Sequence, residues 1–443
     1  MNFLDKNNWQ QFQAIYIHIP FCKQKCLYCD FASYACFGER EMRAYTDALC
    51  HEIEVRADEA TKVAAGATIY FGGGTPSVLS TDCLERIVAT LKACGFWQEP
   101  VEATIEVNPG TADLLKLKRL RAAGFDRMSF GVQSLQDEEL RTIGRIHSTS
   151  EALQAIEMAK LAGFKRISCD LIYGLPGQSL ASLEDTVGRL IQTGIEHMSI
   201  YGLIVEEGTP LERLVASGKI ALPDEDTAAD MYELVQDKLA QAGFERYEIS
   251  NYAKNGQYSR HNTVYWQYHP YIAFGAAGCG FDISDNVSTD VRNTYYANVS
   301  QASSSHTCWL QTSSTEENVA SVCENTTIAY RRTAISTVPE YIAFAKAMTP
   351  ASWRSSELYS IEAITPAQQI EEFMFMGLRR SVGADLKEAR ERFGVDVWER
   401  YSKQLQRFVE QGYLHYDVVK QRLWLTPEGM EVGNQIFAVF VDA

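Results

Sequence analysis

The sequence predicts an α/β protein: a parallel sheet wrapped by helices in its first half, then a smaller α+β tail. Three observations carry that prediction. Between residue 14 and about residue 205, six short apolar strands alternate with amphipathic helices, and strands joined by helical crossovers lie parallel in one sheet. From 284 to 327 the composition changes, with 21 of 44 residues Ser, Thr or Asn. From about Thr365 the pattern reads as three helices followed by a short strand pair, as in a winged helix.

The elements follow in order. AIYIHIP (Ala14 to Pro20) is a buried strand, followed by a cysteine-bearing loop and a helix from about Glu39 to Val63. Ala67 to Phe71 is the second strand, ending in the turn GGGTP before a helix near Leu84 to Ala93. Further strands are expected at Ala103 to Val107, Arg127 to Val132, Arg166 to Ile172 and His197 to Leu203, with helical patterns between them. Residues 224 to 243 read as one more helix and Tyr247 to Ser250 as a strand. In the tail, PAQQIEEFMFMGLRR, DLKEARERFG and VWERYSKQLQRFVEQGYL are helices, and RLWLTPEGMEVGNQIF is a strand, a turn and a final helix. These breaks divide the chain into 1–220, 221–345 (with an insertion at about 284–327) and 346–443. Periodicity does not decide whether the sheet stays open or curls into a barrel. In either case function collects at the carboxyl ends of the strands, where the cysteines, the glycine run, Glu106, Gln133 and Asp170 fall.

Composition excludes several classes. Hydrophobic residues at 46% and charged residues at 22% describe a globular chain rather than a disordered one. A net charge of −16 repels polyanions, so no nucleic-acid partner is expected. The tail carries acidic residues among its basic ones, which argues against a DNA-binding winged helix with a redox sensor attached. The opening MNFLDKNNWQ lacks a secretory pattern and no run of 18 apolar residues occurs, so the expected location is the cytoplasm. Eleven cysteines form an odd set in such a chain, which favours metal or redox use over disulfides. Cys50, Cys83, Cys94 and Cys169 read as small buried thiols, and His306, Cys308 and Cys323 of the insertion as scattered bystanders.

Chemistry concentrates in C-x3-C-x2-C at Cys22, Cys26 and Cys29, directly after the first strand. Thiolates are the ligands of iron-sulfur clusters, and three of them leave one iron of a cube open to a further ligand. A zinc knuckle with His18 as fourth ligand is the alternative, and the tight spacing fits it poorly. The run FGGGTP ends the second strand, where glycines admit close backbone approach to a ligand or simply make a tight turn. Glu106, Gln133 and Asp170 need hydrogen-bonding partners if buried, whether a cofactor or neighbouring protein groups. HNTVYW places His261 beside Tyr265 and Trp266. His261 is a candidate axial ligand for heme, or a structural hydrogen-bonding group against an aromatic core.

The cysteine loop with its flank YIHIPFC resembles the radical S-adenosylmethionine (SAM) superfamily, in particular its coproporphyrinogen III dehydrogenase-like branch, over nearly the whole chain outside 284–327. The resemblance implies a partial (β/α)6 radical SAM barrel with a C-terminal winged-helix-like α+β domain. It implies a 4Fe-4S cluster on Cys22, Cys26 and Cys29, with SAM chelated at the open iron and cleaved to a radical by a cluster electron. By the same resemblance Gly73, Gly74 and Thr75 meet the amino and carboxylate groups of SAM. Tyr16, Glu106, Gln133, Arg145 and Asp170 match further SAM contacts, and Ile204 matches a backbone contact. The dehydrogenases carry a fourth cysteine where this chain has Phe31, and HNTVYW is similar to the HNxxYW motif of the heme chaperones in the branch. Two functions follow from the resemblance: a heme chaperone with heme as cargo, or an oxygen-independent coproporphyrinogen III dehydrogenase. Implied partners are heme, a heme-accepting protein, an electron donor such as flavodoxin or ferredoxin, and a membrane reached peripherally through the acceptor.

Overall fold

The computed structural model describes residues 9–284 and 328–441. Six parallel strands form its heart: β1 (Phe12–Ile19), β2 (Val63–Gly73), β3 (Ala103–Val107), β4 (Arg127–Gln133), β5 (Arg166–Tyr173) and β6 (His197–Gly202). Each alternates with period two. Ile15, Ile17 and Ile19 of β1, Ile69 and Phe71 of β2, Met128 and Phe130 of β4 and Cys169 of β5 are fully buried in one core with the helices. The intervening residues, among them Tyr16, Tyr70, Glu106, Ser129, Asp170 and Ser199, make the other face of the sheet polar. An all-parallel sheet whose second face is polar must enclose something, and here it lines the hollow of an incomplete barrel.

The crossover helices are α1 (Glu39–Val55), α2 (Thr81–Ala93), α3 (Leu114–Ala123), α4 (Asp137–Thr142), α5 (Thr149–Leu161) and α6 (Leu180–Gln192). Side chains cap their starts. Ser80, Asp113, Ser148 and Ser179 each accept a backbone N–H, and Ser148 with Glu151 forms a full capping box. The helix expected to reach Val63 stops at Val55. A 3₁₀ turn, Ala57–Lys62, follows, and Val63 already belongs to β2.

The sheet does not close. Beyond β6 come α7 (Pro210–Ala216) and α8 (Glu225–Gln241), then β7 (Glu245–Arg246) and β8 (Asn251–Ala253), with β8 antiparallel to β6. Tyr247 to Ser250, expected as a strand, is the connection between β7 and β8. Glu248 bends it by accepting the Ser250 N–H (2.7 Å) and the Asn251 amide (2.6 Å). On the other edge β1 pairs with β9 (Tyr271–Phe274), which follows α9 (Arg260–Trp266). β10 (Cys279–Ser284), β11 (Ile328–Ala334) and, after α10 (Val338–Ala347), β12 (Tyr359–Ile364) extend this edge. One twelve-stranded sheet results, in the order β12-β11-β10-β9-β1-β2-β3-β4-β5-β6-β8-β7. His306, Cys308 and Cys323 lie outside the described residues, as does nearly all of the 284–327 insertion.

The tail has its own apolar core. It comprises α11 (Pro366–Leu378), β13 (Ala384–Asp385), α12 (Leu386–Phe393), α13 (Val397–Glu410), β14 (Leu414–Asp417), β15 (Arg422–Leu425), α14 (Pro427–Glu431) and α15 (Gly433–Val441), with its strands ordered β13-β15-β14. Three helices ahead of an antiparallel strand pair match the winged-helix-like expectation, with β13 added to that sheet and α14 and α15 following it. No described helix is long and apolar enough to cross a membrane.

Candidate functional site

The loop from Phe21 to Gly38, between β1 and α1, is held at both ends by backbone hydrogen bonds. Cys22 N–H donates to Tyr34 O (2.9 Å), and Leu27 N–H donates to Ile143 O at the end of α4 (3.0 Å). The three thiols therefore stand at the carboxyl end of the parallel sheet. Cys22 Sγ lies 3.5 Å from Thr75 Oγ1, and Cys29 Sγ lies 3.8 Å from Ser33 Oγ. Cys26 Sγ accepts from Arg145 Nη1 at 3.3 Å. All three are free, half-buried thiols lining a cavity of about 450 Å³. Burial pushes the Cys22 thiol up, which Thr75 and Ser33 partly offset. Among the described residues no three His, Cys, Asp or Glu side chains converge tightly enough to hold a single metal ion. Three thiols on one short loop, lining one cavity, are the donor set that a cluster takes, each thiolate on its own iron.

The glycine turn forms the adjoining wall. Gly74 N–H donates to Ile19 O (2.9 Å) and Thr75 N–H to Phe21 O (2.7 Å), which stitches the turn to the cysteine loop. A Cβ on Gly74 would stand 2.7 Å from Phe21 O, and one on Gly73, whose φ is +110°, would meet the His18 ring at 2.6 Å. Both glycines are therefore required by close approach. His18 is not free to act as a fourth ligand without rearrangement: its Nε2 bonds Ala32 O (3.0 Å) and its Nδ1 bonds Tyr16 (3.2 Å).

Glu106, Gln133, Arg145, Asp170 and Ile204 line the same cavity. Tyr16 does not line it and sits two residues deeper along β1, against Tyr70. Tyr70 O–H donates to Glu106 Oε1 (2.7 Å). Burial pushes the Glu106 carboxyl up to about 7 despite that bond, with the nearby Asp170 adding to the rise. Asp170 is raised as well, mainly by burial, while the Ser199 and Ser129 hydroxyls oppose the shift. Two carboxyls held above their usual range, facing a cavity, mark a place prepared for a cationic or donor-rich ligand. Gln133 follows a bulge in β4 and takes φ +67°, a conformation that non-glycine residues adopt at a cost. Ile204 is 67% exposed at the rim, beside Phe31 at 71%.

Arg145 ties these parts together. Its Nη2 donates to Asn108 Oδ1 (2.7 Å) and to Gly131 O, and Asn108 Nδ2 donates to Thr75 Oγ1 (3.0 Å). Sequence reasoning missed Asn108, although it stands two residues after Glu106 at the same strand end, where cavity-facing positions recur.

His261 lies elsewhere, in α9. Its Nδ1 meets Thr68 Oγ1 (2.8 Å), its Nε2 meets the Tyr265 hydroxyl (2.7 Å), and its ring stacks on Tyr70 at 4.9 Å. Burial lowers its pKa to about 3, so it is neutral. A heme iron reaches either nitrogen only after one of these bonds breaks.

Comparison with known proteins agrees with this geometry. The family model described as the Radical SAM superfamily matches residues 16–190, and that of the HemN C-terminal domain matches residues 364–432. The chain is 31% identical to a Bacillus subtilis protein named heme chaperone HemW, over 97% of this chain and 99% of that one. It is also 31% identical to heme chaperone HemW of Lactococcus lactis, over 98% of both. In fold it is similar to coproporphyrinogen III oxidase (HemN) of Escherichia coli, a radical SAM enzyme, with TM-score 0.74 at 20% identity over 97% of this chain and 90% of that one. Relatedness to the chaperones runs through barrel and tail alike, and the chain belongs to the HemW family within the radical SAM superfamily.

Proposed function

We propose that this protein is a heme chaperone that holds a 4Fe-4S cluster and SAM in its barrel, binds heme as cargo and passes it to an acceptor protein. Membership of the superfamily implies the cluster and SAM. The heme reading rests on one observation, the end-to-end relatedness to proteins named heme chaperones. Phe31, exposed at the rim where the dehydrogenases carry a further cysteine, supports it.

Cys22, Cys26 and Cys29 hold the cluster, which when bound supplies an open iron and an electron for SAM chemistry. The chain's own residues bind and orient. Gly73 and Gly74 bring backbone close to the ligand, and Thr75 adds a hydroxyl already set by Asn108. Glu106 and Asp170 accept from ligand donors, while Gln133 and Arg145 offer N–H groups on the facing wall. Ile204 borders the mouth, and Tyr16 acts from beneath through Tyr70 and His18. An electron donor such as flavodoxin or ferredoxin serves the cluster in the cytoplasm, and any membrane contact runs through the acceptor.

Reconstituted protein loaded with heme under anaerobic conditions is mixed with an excess of a heme-free hemoprotein. The expected result is about one heme bound per chain and its appearance in the acceptor. Heme binding no greater than that of an unrelated protein overturns the reading. Growth of a heme-auxotrophic strain on this gene, without added heme, would favour the dehydrogenase instead.

A further inference from the structure

At the opposite end of the sheet from the cysteines lies a second cavity, of about 400 Å³. Pro270 O accepts from Gln13 N–H near the start of β1, so the α9–β9 connection borders the amino ends of the parallel strands, roughly 20 Å of strand away from the cluster loop. The end of α9 forms one wall of this cavity, and α11, β13 and β15 of the tail form the others. Trp266, Phe373, Val382, Ala384 and Trp424 are its apolar lining residues, and the Arg379 guanidinium covers the Trp266 ring at 4.6 Å from one side.

Three cations, Arg380, Lys420 and Arg422, line this one cavity in a chain of net charge −16. The acids beside them already have partners. Asp385 accepts from Arg422 Nη2 (3.0 Å) and caps α12, and Glu388 pairs with Arg392 at 3.5 Å. Lys420 pairs with Asp417 at 3.4 Å. Arg380 differs, since its guanidinium has no hydrogen-bond or ion-pair partner among the described residues, although Glu388 and Asp385 favour its charge from a distance. Burial, with Arg422 nearby, lowers its pKa only to about 10, so it is charged at neutral pH. The Trp266 indole N–H is buried and likewise has no acceptor among the described residues. The indole N–H is a buried donor left unsatisfied, which is costly, and the half-buried Arg380 guanidinium stands on the same cavity wall with no bonded partner among the described residues, so an acceptor belongs between them.

We infer that this cavity is a second ligand site, which takes the propionate edge of a tetrapyrrole on Arg380 and Arg422 and its flat ring against Trp266 and Trp424. The inference rests on the heme reading above and adds the place where the cargo sits. Guanidinium groups match carboxylates in geometry and charge, and indole faces match a macrocycle. It also gives the two ends of HNTVYW separate tasks: His261 is turned into the barrel, whereas Trp266 faces the cargo.

Heme and its dimethyl ester, in which both propionates are masked, are titrated into the full-length protein and followed by the Soret band, for wild type and for Arg380→Ala. Wild type is expected to bind heme at least tenfold more tightly than the ester. Arg380→Ala is expected to lose about tenfold for heme and little for the ester, with the unfolding midpoint unchanged. Equal affinity of wild type for heme and ester overturns the site, and so does unchanged heme affinity in a folded Arg380→Ala protein. Should that variant fail to fold, the ester comparison on wild type decides alone. No heme binding by wild type removes the chaperone reading as well.

Discussion

Arg145 Nη1 donates to Cys26 Sγ across 3.3 Å, joining the end of the fourth β/α unit to the cysteine loop 119 residues earlier in the chain. Burial alone would lower the arginine's pKa. The Tyr28 and Cys26 groups beside it outweigh that, so it stays charged. A fixed positive charge against a thiolate favours added electron density at whatever the thiolate holds.

Arg145→Met is therefore expected to lower the reduction potential of the cluster by about 60 mV, a tenfold change for a one-electron couple. A redox titration followed by electron paramagnetic resonance reads this. An unchanged potential would mean that Arg145 acts only through Asn108 and Gly131.

Glu106 sets a pH dependence. Its carboxyl titrates near 7 in the folded protein, and only the ionised form offers both oxygens as acceptors. SAM affinity is expected to be full above pH 7 and to weaken by up to tenfold per unit as pH falls below it. Glu106→Gln should bind weakly at every pH with no slope, as isothermal titration between pH 6 and 8 would show.

Gly74→Ala places a methyl 2.7 Å from the Phe21 carbonyl, a backbone atom that cannot swing away. The displaced strand end is the one that leads into Cys22. The expected outcome is at least tenfold weaker SAM binding or incomplete cluster assembly, measured by iron and sulfide content alongside binding. Wild-type values for both would show that the turn and loop are not mechanically coupled.

His261→Ala leaves the Thr68 and Tyr265 hydroxyls without their partner and opens a cavity, which costs about 2–4 kcal/mol at pH 7.5. The neutral imidazole is lowered to about 3 in the fold. Its contribution is complete above the unfolded value of about 6.5 and is lost as pH falls toward 3. Urea unfolding at pH 7.5 and pH 5 is expected to show the gap between wild type and variant shrinking at the lower pH.

The legible parts of the fold were the local ones. AIYIHIP, FGGGTP and C-x3-C-x2-C announce strand, turn and cluster loop because their alternation, glycines and thiols act within a few residues. Pairings set by the assembled sheet were not legible. β9 is four residues long and joins β1 across more than two hundred positions, so no local pattern reveals that the sheet continues past six strands. Tyr247 to Ser250 carried strand-forming residues, yet Glu248, buried against Arg379, bends them into a turn. The site divides in the same way. Glu106, Gln133 and Asp170 stand out as polar residues at strand ends. Asn108 gains its role only when Arg145 and Thr75 arrive from distant units.

The most direct test is the electron paramagnetic resonance spectrum of the anaerobically reduced protein, holding about four irons per chain, before and after addition of SAM. A changed spectrum is predicted, because a cluster held by three thiols would keep one iron open to a further ligand, with the change absent in the Cys22→Ser, Cys26→Ser and Cys29→Ser proteins. An iron-loaded wild-type protein whose spectrum ignores SAM would contradict the account.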